Sequence, residues 1–261
     1  MSIVTNKIKE YAALLSDAEK TGVGTKPLTI LDPNLSVTEA YHIQLENIQM
    51  KVEQGQKIIG KKIGLTSLAM QKLLGVDEPD YGHLLDSMEV TNGGTISIEK
   101  VLQPKVEAEL AFVLKKDLIG PNITTLDVLQ ATDYIVPALE IVDSRVKDWK
   151  IKLPDTIADN ASSGFYVLGD RKAKVDEINL ELLGMVLSRN NEIVNTGVGA
   201  AALGNPATCV AWLANKLSEF GIPLKAGEII LSGALSAAAD AKAGDSFSAR
   251  FAHLGEVKVH F

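Results

Sequence analysis

The stretch Gln103–Leu114, Q-P-K-V-E-A-E-L-A-F-V-L, limits the fold more than any other part of the chain. It alternates with a period of two and so reads as a strand. Val106, Ala108, Leu110, Phe112 and Leu114 point one way; Lys105, Glu107, Glu109, Ala111 and Val113 point the other. Both carboxylates share a face, roughly 7 Å apart along the strand. That face turns apolar at Ala111 and Val113, which puts the acids at the end of a buried surface. Taken alone, the segment also fits a solvated strand end. On a buried face, two like charges are unfavourable unless a cation lies between them.

A third glutamate weighs against the solvated reading. Glu140 sits in Y-I-V-P-A-L-E-I-V-D, residues 134–143, an apolar run of the kind found in interior strands. A lone buried carboxylate there is costly or protonated. A hard divalent cation held by Glu107, Glu109 and Glu140 resolves both difficulties, and an oxygen-only ligand set favours Mg²⁺, Mn²⁺ or Ca²⁺ over Zn²⁺.

With 261 residues, 46% of them hydrophobic, the chain can bury one substantial core or two small ones. A formal net charge of −7 argues against nucleic acid or an anionic membrane surface as partner. Cys209 is the single cysteine, so no intrachain disulfide forms; its apolar helical context fits a buried structural thiol rather than a nucleophile. The opening residues lack the apolar core of a signal peptide, and no apolar run approaches the ~18 residues of a membrane span. The expectation is a soluble cytoplasmic protein.

Residues 3–20 pattern as an amphipathic helix with Ile8, Tyr11, Leu15 and Ala18 on one face and Gly22 as its stop. Ser36 and Glu39 form a capping-box signature for a second helix, which carries Val37, Tyr41, Leu45, Ile48 and Val52 inward. From Ile58 the texture changes to short strands and turns, with short helices expected over 67–74 and 125–131 and a third long helix capped by Asn205. Residues 147–163 read as irregular and polar, and Gly244-Asp245 as a hairpin signal. The chain therefore divides into an N-terminal helical segment, 1–57, and a catalytic domain, 58–261, built as one structural unit. The fold class is α+β: a mixed, largely antiparallel β-sandwich roll with N-terminal and peripheral helices.

Gly197–Gly204, G-V-G-A-A-A-L-G, imitates a dinucleotide fingerprint, but the helix begins only at Asn205, so a small-residue turn is the better account. Lys61 and Lys62 adjoin in a short apolar strand, where at most one faces the core; two solvated edge lysines are the other reading. Asp80, in P-D-Y-G, fits a turn residue, and His83 beside it fits an exposed one. There is no G-x-S-x-G elbow and no H-E-x-x-H motif.

Six ordered motifs, G-K-K-I-G-L-T-S, L-G-V-D-E-P-D-Y-G, Q-P-K-V-E-A-E-L-A-F-V-L, P-A-L-E-I-V-D-S-R, D-T-I-A-D-N-A-S-S and I-L-S-G-A-L, together resemble one group across almost the whole chain. The group comprises the 2-hydroxypenta-2,4-dienoate (2-oxopent-4-enoate) hydratases and 4-oxalocrotonate decarboxylases of the fumarylacetoacetate hydrolase superfamily. The resemblance implies Mg²⁺ or Mn²⁺ on Glu107, Glu109 and Glu140, an active-site lysine at Lys62 and an acidic residue at Asp80. It implies a pocket for the substrate carboxylate lined by Ser162 and the turn Ser232, Gly233, Ala234 and Leu235. It further implies a small 2-oxo or 2-hydroxy acid substrate, a homo-oligomer, and association with a pathway partner enzyme. P-D-Y-G and the segment bearing Trp149 and Asp155 resemble the hydratases, while S-A-A-A-D-A at 236–241 leans toward the decarboxylases. Hydration is the leading expectation, decarboxylation the alternative, and an acylpyruvate-type hydrolase using His83 a third reading. Acid and base roles stay open between Lys62 and Asp80.

Overall fold

The computed structural model describes residues 3–68, 71, 72 and 75–261. Helices α1 (Ile3–Thr21), α2 (Leu28–Leu31) and α3 (Val37–Glu53) come first. Strands β1 (Ile58–Gly64), β2 (Asp80–Leu85), β3 (Glu89–Val90) and β4 (Lys105–Leu114) follow, then α4 (Thr125–Ala131), β5 (Thr132–Val142), α5 (Leu153–Ala158) and β6 (Ser163–Leu168). The chain continues through β7 (Gly184–Arg189), β8 (Glu192–Val198), α6 (Pro206–Ser218), β9 (Ile229–Ala234), β10 (Ala239–Asp240), β11 (Ser246–Phe251) and β12 (Gly255–His260).

The helices start where their caps allow. Ser36 and Glu39 exchange both bonds of a capping box at α3, Thr124 and Asp127 do the same at α4, and the Asn205 side chain accepts from Ala207 N at α6. Tyr11, Leu15 and Ala18 of α1 are buried as their spacing predicts, and Tyr41 and Ile48 line the inner face of α3. Cys209 is fully buried in α6, and burial pushes its thiol pKa up, which fits a structural side chain.

An eight-stranded mixed sheet runs in the order β2-β1-β9-β4-β5-β6-β3, with β10 on β4. The pairs β1–β9 and β3–β6 are parallel; the rest are antiparallel. A four-stranded sheet, β12-β11-β7-β8, packs β11 and β12 against β5. β4 lies between β9 and β5 and is covered on both faces. Val106, Ala108, Leu110, Phe112 and Leu114 join the main core with Tyr11 and Tyr41. Ala111 joins a second cluster with Val136, Ala138 and Leu231. The two-sided reading of β4 therefore holds, and the glutamates lie on the face of the second cluster.

Two expectations change. The stretch 147–163 is not irregular throughout: it contains α5, whose Asp155 side chain accepts from Thr29 N (2.9 Å) and Thr29 Oγ1 (2.7 Å), far away in sequence. Gly244-Asp245 makes a turn but no hairpin, because β10 before it pairs with β4 and β11 after it pairs with β7 and β12; the hairpin is β11–β12. The helix expected over 67–74 includes residues 69, 70, 73 and 74, which lie outside the described residues. No helix among the described residues is long and apolar enough to cross a membrane.

Candidate active site

Register brings the three glutamates together. Glu107 of β4 lies directly opposite Glu140 of β5, and Glu109 stands two residues along the same face of β4. One carboxylate oxygen from each falls within 4.8 Å of the other two. Glu109 and Glu140 are fully buried and Glu107 is half-buried. Glu109 Oε1 and both Glu140 oxygens have no hydrogen-bond partner. Glu109 Oε2 accepts from Gly233 N at 2.8 Å. Burial, with Glu140 opposite, pushes Glu107 up to about 7. Burial and the two neighbouring carboxylates push Glu109 well above the ordinary range, and burial raises Glu140 against the pull of Lys62. Buried acids, raised affinity for protons and orphaned oxygens are what a carboxylate cage shows when a hard cation belongs in it, so these residues fit a divalent ion.

Lys62 reaches the same face from β1. Its Nζ stands 3.3 Å from Glu140 Oε1 and donates to Ala161 O at 2.8 Å. Burial alone would lower its pKa, but Glu140, Asp80, Glu107 and Glu109 outweigh burial and hold it above the usual lysine range. Lys61 corrects the expectation that at most one of the pair is inward. Both are buried, because β1 is covered on both faces; Lys61 points away from the glutamates and meets Glu228, with both carboxylate oxygens 2.7 Å from Nζ.

Asp80 opens β2, opposite Gly64 of β1. It is buried, its Oδ2 accepts from Thr156 Oγ1 at 2.7 Å, and its Oδ1 is unpartnered. Burial raises its pKa against the opposing pull of Lys62 and Thr156. A Cβ at position 64 would collide with Asp80 Oδ1 and stand 3.1 Å from Lys62 Nζ, so glycine is the residue that lets the acid and the ammonium approach. His83 is not exposed, as its turn-like context suggested. It is buried on the Lys61 side of the β1–β2 pair, its Nδ1 is 2.9 Å from Gln44 Oε1, and burial next to Lys61 pushes it down to about 3. It is a neutral imidazole turned away from Asp80.

Ser162 is buried, with Oγ 3.4 Å from Thr156 Oγ1. It ends a run of three non-glycine residues, Asn160, Ala161 and Ser162, at φ of 54°, 49° and 52°. Left-handed backbone costs an ordinary residue roughly 1–2 kcal/mol, so three together persist only under strong restraint. Asn160 supplies some of that restraint: its side-chain amide accepts from His83 N (2.7 Å) and donates to His83 O (2.9 Å). Residues 232–234, expected as a turn, are the end of β9, and with Leu235 they contribute backbone more than side chains. Ser232 Oγ donates to Leu110 O (2.8 Å), Gly233 N is held by Glu109, and the Leu235 side chain is buried in the main core; the half-buried Ala234 lies opposite Glu109. Thr156 and Gly64 were not singled out from the sequence. The pattern G-K-K-I-G around the paired lysines was the available signal for the glycine; nothing local marks the threonine.

Residues 71–261 match the fumarylacetoacetate (FAA) hydrolase C-terminal family. A 2-keto-4-pentenoate hydratase of Paraburkholderia xenovorans is 49% identical over 253 residues, 97% of this chain and 94% of its own length. A 2-hydroxyhexa-2,4-dienoate hydratase of Comamonas testosteroni is 45% identical over 97% of both chains. The 4-oxalocrotonate decarboxylase of Pseudomonas putida, solved with magnesium and adipate, superposes with a TM-score of 0.93 at 38% identity over 97% of each chain. Its complex with calcium and acetate gives 0.95 at 37%, over 100% of this chain and 99% of that one.

Proposed function

The chain belongs to the fumarylacetoacetate hydrolase family, and from that premise we propose that it is a divalent-metal-dependent hydratase. It adds water to 2-hydroxypenta-2,4-dienoate, giving 4-hydroxy-2-oxopentanoate in the meta-cleavage degradation of aromatic compounds. As an enzyme it is a lyase, like its hydratase relatives. The observation that carries the reading is a buried Asp80 with one anchored and one free oxygen on the same face as the three glutamates and Lys62.

Glu107, Glu109 and Glu140 would hold the ion, with Mg²⁺ or Mn²⁺ as the proposed identity. When bound, such an ion supplies Lewis-acid polarisation to the substrate's carboxylate and 2-oxygen. The chain's own residues do the rest. Ketonisation moves a proton to carbon 5, leaving an unsaturated 2-oxo acid, and water then adds at carbon 4. Lys62, 3.3 Å from Glu140, stabilises negative charge developing on the 2-oxygen. Proton transfer falls to Asp80, whose free Oδ1 takes a proton from water and returns it to carbon. Ser162 and the end of β9, Ser232 to Ala234, with Leu235 beyond it, line the wall against which the substrate carboxylate lies.

The same proposal includes a catalytic unit spanning 58–261 with 1–57 as its helical segment, a homo-oligomer associated with a pathway partner enzyme, and a cytoplasmic location. The decarboxylase reading keeps one specific support, the close superposition on a 4-oxalocrotonate decarboxylase. The hydrolase reading loses its histidine, since His83 faces away from Asp80.

Two assays with Mg²⁺ separate the activities, one with 2-hydroxypenta-2,4-dienoate and one with 4-oxalocrotonate, each followed by absorbance and product mass. Gain of one water by the dienoate is the expected result. Loss of CO₂ from oxalocrotonate without hydration would replace this reading with the decarboxylase. Asp80→Asn is expected to lower hydration by roughly 10²–10⁴-fold with metal affinity intact; full activity in that variant would remove Asp80 from the chemistry.

A further inference from the structure

We infer that Thr156 is a positioning residue that selects which oxygen of Asp80 handles the proton, and that the N-terminal helices set its position. The inference rests on the role proposed for Asp80. Thr156 has one hydroxyl proton. The 2.7 Å bond to Asp80 Oδ2 uses it, so across the 3.4 Å contact Ser162 Oγ must be the donor and Thr156 the acceptor. The result is a directed chain, Ser162 to Thr156 to Asp80. It anchors Oδ2 and fixes the carboxylate plane, leaving Oδ1 unpartnered beside Gly64 and Lys62, where the reacting face lies.

Two clamps from outside the family-matched region hold this chain in place. The Gln44 amide of α3 donates to Tyr81 O (2.9 Å) and to Ile157 O (2.6 Å). These carbonyls belong to the residues that follow Asp80 and Thr156, so a single fully buried side chain fixes the spacing of both backbones. Asp155, beside Thr156, is held by Thr29 N and Thr29 Oγ1 of α2 and by its own capping bond from Lys152 N (2.9 Å). α5 is six residues long and would not hold its orientation alone. Its register toward Asp80 comes from Thr29 and Gln44, both upstream of the matched residues 71–261.

The test uses full-length, metal-loaded protein with 2-hydroxypenta-2,4-dienoate, comparing Thr156→Val, Thr156→Ser, Thr29→Val and Asp80→Asn. Thr156→Val keeps the shape and removes the donor; kcat should fall ~10- to 100-fold with KM and metal affinity unchanged. Thr156→Ser should restore kcat, because the hydroxyl returns. Thr29→Val should give a smaller loss confined to kcat, and it decides the matter if Thr156→Val does not fold. Wild-type kcat in Thr156→Val or Thr29→Val, alongside an inactive Asp80→Asn, would overturn the inference and leave the role of Asp80 standing. An equal loss in Thr156→Ser and Thr156→Val that follows their melting temperatures would also overturn it, because a purely structural role predicts that. An active Asp80→Asn would instead overturn the underlying assignment.

Discussion

Lys61 and Lys62 adjoin in one strand, both are buried, and they live in opposite electrostatic surroundings. Lys61 meets one carboxylate, Glu228, with Lys225 and His83 near by; burial outweighs that single partner and its pKa falls. Lys62 pairs with Glu140 at 3.3 Å and also feels the charges of Asp80, Glu107 and Glu109, and its pKa rises. The Lys61 face is a closed ion pair that balances itself. On the Lys62 face four acids crowd one ammonium, so the glutamates either hold protons or need a further cation. Burial of a charged residue is therefore a poor guide to function on its own; the count of opposite charges around it discriminates.

The comparison can be broken most sharply at Lys61. Lys61→Met leaves Glu228 buried and unpaired, and should cost about 3–5 kcal/mol in urea unfolding, with the specific activity of the folded fraction unchanged. Adding Glu228→Leu should recover most of that loss. A marked drop in kcat in the stable double variant would mean that the Lys61 face takes part in the chemistry after all.

A metal titration compares the two faces through their acids. Glu140→Gln should weaken Mg²⁺ or Mn²⁺ affinity at least tenfold, about 1.4 kcal/mol, whereas Glu228→Gln should leave it alone. Equal affinities by calorimetry for Glu140→Gln and the wild type would dissolve the proposed ligand set.

The remaining difference between the two faces concerns pH. His83 in the folded protein titrates at about 3, against 6.5 for a free side chain. Between these values the unfolded chain binds a proton that the folded chain refuses. The contribution to stability is therefore complete above about 6.5 and declines as pH falls toward 3, by up to about 1.4 kcal/mol per pH unit. His83→Gln should show a shallower acid limb than wild type in denaturant midpoints measured from pH 7 to 4. Identical limbs would show that the imidazole gains its proton without unfolding the protein.

Much of the site was legible because it is written in local periodicity. E-A-E on an alternating strand places two acids on one face, and a glutamate within an apolar run signals a partner. The capping box at Ser36 is local for the same reason. What stayed hidden depends on distant contacts. Alternation says that Lys61 and Lys62 diverge, but not that both faces of β1 are covered. α5 lies in a polar stretch with weak intrinsic signals, and its order comes from Asp155 meeting Thr29, 126 residues away. Gln44 looks like any helix-face glutamine until its two carbonyl partners are in place.

Asn160 has a bearing on how copies of this chain could meet. Its side-chain amide satisfies both backbone groups of His83 and imitates a neighbouring strand along the outer edge of β2. A Cβ on Gly82 would run into the Asn160 carbonyl oxygen at 2.5 Å, so the seal is close as well as polar. An edge closed in this way does not recruit a foreign strand. Strand-to-strand growth is steered away from the strand that carries Asp80.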